Sequence, residues 1–391
     1  MKAKRIAILG STGSIGRQTL DVIAEQADMS ACALAAGSNW RELADQARRF
    51  SPDIVAIADE SAGPALAAAL PAGIEVLTGA GAATELVRRS RPDVLLAGMV
   101  GSAGLAPVLA GIDCGATLAI ANKETLVMAG AVVMSAARAA GAAVLPVDSE
   151  HSAVFQCLAA GRAEEVRRVV LTASGGALRD WSDDDARDAT VEDALKHPTW
   201  SMGPKVTIDS ATMMNKALEV VEAHWLFDLP AERIDVVLHG ESVVHAVVEF
   251  CDGSAIAQMG PPDMTTPIAY ALAYPRRAVR SAAGVDLATL GQLTFAPLTE
   301  RFARAVELGY EAVRRGSTAG AVLNSANEAA VEAFLAGRIR FGRIVPLVED
   351  ALNQAPACDD VTLDALLAAD AWARRHVAGR IEAIADGAIS S

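Results

Sequence analysis

The stretch Arg5-Ile6-Ala7-Ile8-Leu9-Gly10-Ser11-Thr12-Gly13-Ser14-Ile15-Gly16 decides the fold class. An apolar run of strand length leads into three glycines spaced three apart, and an amphipathic stretch, Arg17–Glu25, follows. The glycines allow a tight turn and a close backbone approach to a pyrophosphate, while free N–H groups at the helix start offer positive charge. A plain tight turn is the alternative. The position of the loop, between the first strand and the first helix of a longer series, favours a dinucleotide site.

That series continues outward from the loop. Ala31–Ala36, Asp53–Ile57, Val94–Ala97, Thr117–Ala121 and Ala143–Val147 are short apolar runs, with helical patterns such as Arg41–Phe50 between them. Strands apolar throughout and separated by helices imply a parallel sheet covered on both faces. The expected fold class is therefore α/β, with an N-terminal doubly wound (Rossmann-like) parallel sheet. The middle third differs. Val166–Thr172, Val236–His239, Val243–Phe250 and Ser254–Met259 read as strands, the last three joined by short turns, which predicts a central antiparallel α+β catalytic domain. From about Glu300 to Ala385 the periodicity is helical, with one break around Asn353–Asp360, so a C-terminal helical domain is expected. The boundaries expected are 1–149, 150–278, a connecting segment 279–299, and 300–391.

Composition narrows the function classes. The chain has 391 residues and a formal charge of −14, which argues against a protein that coats nucleic acid, so any phosphate must be gripped locally. The five cysteines are scattered, with no CxxC, which reads as reduced thiols and not as a disulfide framework or zinc site. Val94 to Ile112 carries no charge, but Gly98, Gly101, Gly104, Pro107 and Gly111 divide it into strand, turn and helix, so it reads as buried core and no membrane association is expected. Met1-Lys2-Ala3-Lys4 runs straight into the first strand and leaves no room for a targeting segment; a cytoplasmic location is the expectation.

The second strand ends Ala36-Gly37-Ser38-Asn39-Trp40-Arg41, with no acid for a ribose 2′-hydroxyl and an arginine close by. That favours the 2′-phosphate of NADP(H) over NAD. Pro146-Val147-Asp148-Ser149-Glu150-His151 sets two carboxylates at the end of another strand, where they can share a hard cation. An N-cap Asp with a first-turn Glu is an equal alternative. Lysine is scarce, six against 28 arginines, and four of the six lie in segments already singled out: Lys123, Lys196, Lys205 and Lys216. Lys216 belongs to Asp209-Ser210-Ala211-Thr212-Met213-Met214-Asn215-Lys216-Ala217-Leu218-Glu219, expected as one helix to about Phe227 with Ser210 near its start. Asn215, Lys216 and Glu219 then share adjoining faces and suit a phosphate next to a metal, although an ordinary intrahelical ion pair fits the spacing too.

Two loops complete the set. Thr172-Ala173-Ser174-Gly175-Gly176 ends a strand with a hydroxyl and small residues, where backbone N–H groups can meet an anion. Residues 196–205, with His197, Trp200, Met202, two prolines and Gly203, have the composition of a lid that expels water; burial of Trp200 at an interface is the alternative.

Together these segments resemble the 1-deoxy-D-xylulose 5-phosphate reductoisomerase family from end to end. The motifs are GSTGSIG at 10–16, ANKE at 121–124, PVDSEH at 146–151, TASGG at 172–176, HPTWSMG at 197–203, DSATMMNKALE at 209–219, PPDMTTPI at 261–268 and NSANEAAVEAFL at 324–335. The resemblance implies metal ligands at Asp148, Glu150 and Glu219, which with Lys123 are the catalytic set. It implies substrate contacts at Lys123, Ser149, Glu150, Ser174, His197, Trp200, Met202, Ser210, Asn215, Lys216 and Glu219. Cofactor contacts fall on Gly10, Thr12, Gly13, Ser14, Ile15, Gly37, Ser38, Asn39, Asn122, Glu124 and Gly203, with Arg41 near the 2′-phosphate. NADPH, one Mg²⁺ or Mn²⁺ per subunit, a sugar phosphate substrate and a homodimer are implied in the same way. The chain departs from common members at Ser38, where lysine is frequent, at Ala177-Leu178, at Pro204 and at Gly240; none of these removes an implied ligand. A plain NADP-dependent dehydrogenase and a non-catalytic sensor are the competing readings. The first has no need of three carboxylates, and the second would be expected to lose one of Lys123, Asp148, Glu150 or Glu219.

Overall fold

A computed structural model describes residues 3–280, 284–358 and 360–385. The chain divides into two compact units, and each is described by itself. The first is formed by residues up to Thr125, by Val133–Ser152 and by the stretch from Asp263 on. The second comprises Leu126–Val132, Ala153–Pro262 and the remainder from Gly284.

The first unit is built on seven strands: β1 (Lys4–Leu9), β2 (Met29–Ala36), β3 (Ile54–Ile57), β4 (Glu75–Thr78), β5 (Val94–Ala97), β6 (Thr117–Ile120) and β7 (Val144–Pro146). They pair in the order β4-β3-β2-β1-β5-β6-β7, every pair parallel. The doubly wound expectation holds, and the order in which strands are added reverses between β1 and β5, the crevice where such sheets take ligands. Ile6, Ile8, Leu34, Ile57, Leu95, Leu96 and Leu118 are fully buried on these strands, because a sheet with helices on both faces has no solvated side. Strand β4 escaped the sequence reading: Glu-Val-Leu-Thr at an edge of the sheet is half exposed and lacks the continuous apolar run of its neighbours. The Thr265–Ala273 helix also belongs to this unit, and Lys4 Nζ donates to the carbonyl of Leu272 at 2.8 Å.

The second unit holds a four-stranded sheet of β8 (Val166–Ala173), β9 (Ile234–Leu238), β10 (Val244–Phe250) and β11 (Ala255–Met259), in the order β11-β10-β8-β9. The expectation of an antiparallel sheet needs correction here. β10 runs antiparallel to both β8 and β11, but β8 and β9 are parallel, so the sheet is mixed. The connection from β8 to β9 is long and helical, and such a crossover permits a parallel neighbour where a short turn would not. Helices Glu300–Arg315, Ala319–Leu335, Ile344–Gln354 and Leu363–Ala385 follow, as their periodicity predicts. One apolar core unites this sheet with the helices, from Val169 and Leu171 through Leu218 to Phe302, Leu323 and Val348. Among the described residues, no helix is long and apolar enough to cross a membrane.

Candidate active site

The glycine loop follows from backbone geometry. Gly10 adopts φ +79°, and a Cβ there would stand 2.4 Å from the carbonyl oxygen of Gly98, so the loops after β1 and β5 touch at the level of the main chain. A Cβ on Gly16 would meet the Gly10 carbonyl oxygen at 2.3 Å, which brings the first helix down onto the loop. That helix, Ser14–Ala24, starts at Gly13 with no side-chain cap, so its leading N–H groups are unclaimed by a capping side chain. Gly13 and Ser14 are exposed, whereas Ser11 is buried.

After β2, Gly37, Ser38 and Asn39 are exposed. Asn39 caps the Trp40–Phe50 helix by accepting from the Glu42 N–H at 3.4 Å. The Arg41 guanidinium lies over the Trp40 ring at 4.5 Å, a cation–π contact that leaves it at the exposed edge of the loop. Glu42, which would oppose a phosphate, is neutralised by Arg17. After β6, Asn122 caps the helix that begins at Lys123, accepting from the Thr125 N–H at 2.7 Å, and its amide donates to the Gly101 carbonyl at 3.2 Å. The ends of β1, β2 and β6 thus carry all the expected nucleotide contacts but Gly203. Gly98 and Gly101, which break the apolar run after β5, touch two of these expected contacts, Gly10 and Asn122.

Asp148 follows β7, and the Ser149–Leu158 helix begins directly after it. Its carbonyl accepts from the Ser152 N–H at 2.8 Å, so Asp148 occupies the cap position and the two sequence readings of this segment are compatible. Lys123 Nζ stands 2.6 Å from Asp148 Oδ2. Burial alone would raise the Asp148 pKa, but the Lys123 ammonium and His151 beside it hold the carboxyl well below the usual carboxylate range. Ser149 donates to Glu150. The first unit therefore offers an ionised carboxylate, a second carboxylate two residues on, and an ammonium against the first.

In the second unit, the loop after β8 turns through Gly175 at φ +79° and Gly176 at φ +68°. A Cβ on Gly176 would lie 2.6 Å from the Ala211 nitrogen, so Ser174 and the Ser210–Ala211 backbone come from neighbouring strands of chain. Ser174 Oγ is 3.0 Å from His197 Nε2. The N–H groups of Thr199 and Trp200 donate to His197 Nδ1 at 3.1 and 2.9 Å, which leaves the ring proton on Nε2 and makes it the donor to Ser174. Burial, with help from Arg179, pushes the His197 pKa down and favours this neutral form. Trp200 sits 6.3 Å from the ring of buried His245, a residue with no sequence signal beyond its place on a buried strand. Burial pushes the His245 pKa down as well. Met202 is partly buried and Gly203 exposed at the end of the loop.

The segment 204–227 is where expectation and structure part. Two helices occupy it, Pro204–Thr212 and Met214–Phe227, broken at Met213, which takes the left-handed conformation at φ +66°. Ser210 therefore lies near the end of the first helix and not near the start of the second. The spacing argument survives within the second helix: Asn215 donates to Glu219 Oε1, and Lys216 pairs with Glu219 Oε2. Lys216 and Glu219 are both buried. An intrahelical pair sunk this deep, with an amide on the remaining carboxylate oxygen, is unlike a solvated surface pair.

Comparison with known proteins agrees along the chain. Three family models match: 1-deoxy-D-xylulose 5-phosphate reductoisomerase over residues 6–130, its C-terminal domain over 144–227, and the DXP reductoisomerase C-terminal domain over 259–376. The 1-deoxy-D-xylulose 5-phosphate reductoisomerase of Gloeobacter violaceus is 49% identical over 97% of this chain and 98% of its own length, and that of Rhodopseudomonas palustris strain TIE-1 is 50% identical over 92% and 91%. The solved reductoisomerase of Zymomonas mobilis in complex with NADPH superposes with a TM-score of 0.91 at 41% identity, covering 97% of this chain and 100% of that one. A structure of DOX-P reductoisomerase in complex with NADPH, fosmidomycin and magnesium gives 0.91 at 40%, covering 97% and 99%. On identity, coverage and fold alike, this chain belongs to the 1-deoxy-D-xylulose 5-phosphate reductoisomerase family.

Proposed function

We propose that the protein is an NADPH- and divalent-metal-dependent oxidoreductase that rearranges and reduces 1-deoxy-D-xylulose 5-phosphate to 2-C-methyl-D-erythritol 4-phosphate in the non-mevalonate isoprenoid pathway. The observation that carries this reading is the buried, charge-paired set of Lys123 with Asp148 and Lys216 with Glu219, in a chain of this family.

NADPH would fit the loop after β1, where N–H groups at an uncapped helix start could meet its pyrophosphate and Gly10 keeps the backbone clear of side chains. Arg41 holds the 2′-phosphate; Ser38, Asn39, Asn122, Glu124 and Gly203 complete the cofactor contacts. Asp148, Glu150 and Glu219 would hold one Mg²⁺ or Mn²⁺. Their donors are all carboxylate oxygens, which suits a hard cation, and Asp148 is already ionised. Bound there, the cation supplies Lewis acidity and NADPH supplies the reducing hydride.

The chain's own residues do the rest. Ser174, Ser210, Asn215 and Lys216 anchor the phosphate, so binding energy remote from the reacting carbons fixes their orientation. Because His197 donates to Ser174 and the Gly176 N–H also reaches that oxygen at 3.2 Å, the Ser174 hydroxyl proton is left to point at an acceptor such as a phosphate oxygen. Lys123 stabilises the negative charge that develops on the substrate oxygen during carbon–carbon cleavage and re-addition, or relays a proton to it. Ser149 contacts the substrate beside Glu150. Trp200 and Met202 cover the ligand when the 196–205 loop folds over it and excludes water. We place the enzyme in the cytoplasm as a homodimer, in keeping with the family.

The test is loss of NADPH absorbance on addition of 1-deoxy-D-xylulose 5-phosphate with Mn²⁺ or Mg²⁺, repeated with chelator and with Glu219→Gln. Oxidation that needs the metal and disappears in the variant, with NADPH binding retained, supports the reading. Metal-independent oxidation would point to a simple dehydrogenase instead.

A further inference from the structure

Asp209 and Asn327 have no part in the chemistry described above. Asp209 is 1% exposed and immediately precedes Ser210 in the Pro204–Thr212 helix, while Asn327 is wholly buried within the Ala319–Leu335 helix. Asn327 Nδ2 donates to Asp209 Oδ1 at 2.8 Å, across 118 residues of sequence. Lys205 Nζ, one turn back along Asp209's own helix, stands 2.8 Å from Oδ2. A buried carboxylate is costly unless its oxygens meet donors. Here one oxygen takes an amide from a distant helix, and the other, which accepts no hydrogen bond, is balanced by the nearby ammonium from the first turn after the 196–203 loop. Asn327 Oδ1 takes no hydrogen bond, so the polar contact of this side chain is its donation to Asp209.

We infer that Asn327 and Asp209 are positioning residues. They hold the hinge where the 196–203 loop becomes the Pro204–Thr212 helix, and through it they fix Lys205 and Ser210. The phosphate-anchoring part of this inference rests on the function proposed above. The helix needs such a tie. It has nine residues, starts at Gly203 without a side-chain cap, and ends at the left-handed Met213, so neither end fixes it in place. Ile208 and Ala211 bury apolar surface, but apolar contacts are non-directional and tolerate sliding or rotation. A hydrogen bond between two buried groups does not. Lys205 is bound to the same anchor by the i,i+4 spacing, so the first and third turns of the helix are set together.

The test uses the full-length protein with saturating NADPH and metal, and reads steady-state kinetics, thermal midpoint and hydrogen–deuterium exchange. Asn327→Ala is expected to raise KM for 1-deoxy-D-xylulose 5-phosphate about tenfold while kcat changes by less than about threefold. It leaves the KM for NADPH unchanged, and exchange across 204–212 accelerates while exchange across 214–227 does not. Asn327→Asp, which faces Asp209 with a second carboxylate, gives a larger rise. The double exchange Asp209→Asn with Asn327→Asp restores an amide-to-carboxylate bond with its ends reversed, and recovers the protection of 204–212 in part, the Lys205 ion pair at position 209 being lost. A lowered thermal midpoint with unchanged KM and unchanged exchange in 204–212 would make the pair merely structural and overturn the inference. Should Asn327→Ala not fold, the double exchange decides: an unprotected 204–212 in that folded variant overturns it equally. If the wild-type protein fails to turn over the substrate, the proposed function falls, and the exchange comparison still decides the hinge.

Discussion

Lys123 and Asp148 meet at 2.6 Å from the ends of neighbouring parallel strands, β6 and β7, so their pairing is set by sheet register and not by a flexible loop. Both side chains are about nine-tenths buried, with relative exposures of 10% and 11%. Removing one partner leaves the other charge in a dry site. Lys123→Met is therefore expected to destabilise the protein by about 3 kcal/mol and to lower kcat by about 100-fold or more, with NADPH affinity little changed. Denaturant titration and stopped-flow binding of NADPH separate the two effects.

The same pair sets an acid limit. The Asp148 pKa is depressed in the folded protein, so its contribution to stability is present above the ordinary carboxylate value and is lost as pH falls through the lower, folded-state value. In Lys123→Met that depression is relieved, so the variant starts less stable at neutral pH and loses less stability than the wild type as pH falls. Unfolding midpoints followed from pH 6 down to about pH 3 would show the two curves converging at the acid end.

His197 predicts a pH dependence of opposite origin. Its folded-state pKa lies below the ordinary histidine value, so the folded protein takes up the proton less readily than the unfolded chain. Stability from the neutral ring is intact above about pH 6.5 and falls as pH drops below it. Protonation at Nδ1 also opposes the two N–H groups of Thr199 and Trp200. The KM for the sugar phosphate should rise as pH falls through the folded-state value, below the ordinary histidine range, and in His197→Gln that rise should vanish because the baseline KM is already high. A wild-type profile that stays flat below the ordinary histidine range, down to the pH at which the protein unfolds, would contradict the tautomer argument.

Gly176 gives a purely steric prediction. A side chain there meets both a φ of +68° and the Ala211 backbone at 2.6 Å. Gly176→Ala should cost about 1–3 kcal/mol of stability and raise KM for the phosphate substrate, because relieving the clash moves Ser174 and Ser210 apart. Gly37, where a Cβ meets nothing, is the control: Gly37→Ala should leave KM for the sugar phosphate unaltered.

Arg41 is expected to set the preference for NADPH over NADH. With serine at position 38, the exposed guanidinium beside Trp40 is the cation placed to meet a 2′-phosphate. Arg41→Ala should weaken NADPH by about tenfold or more, the scale of one charge-assisted contact, and leave NADH affinity nearly unchanged. Equal losses for both cofactors would move the specificity elsewhere on the loop.

Much of this architecture was legible in the sequence because its signals are local. The glycine spacing after β1, the uninterrupted apolar runs of β1, β2, β5 and β6, and the helical periodicity after Glu300 each depend on a few adjacent residues. What stayed hidden depends on partners. Nothing local distinguishes β9 as the parallel neighbour of β8, and β4 is too exposed to carry a buried-strand pattern. The break at Met213 has no glycine or proline to announce it. The Asp209–Asn327 bond joins two segments that are silent about each other. Of the site, Asn215, Lys216 and Glu219 were readable from helix spacing, whereas the tautomer of His197 needed the backbone of Thr199 and Trp200.

Met213 has one more consequence. In an unbroken helix the N–H groups of residues 214 and 216 would bond carbonyls four residues earlier, whereas here they turn to Thr212 Oγ1 and the Met213 carbonyl. The left-handed corner restarts the hydrogen-bond ladder, and a new positive pole, roughly half an elementary charge, opens beside Asn215 and Lys216. A doubly charged anion resting there would feel a field generated by the main chain itself, one that no side-chain substitution on the second helix can remove.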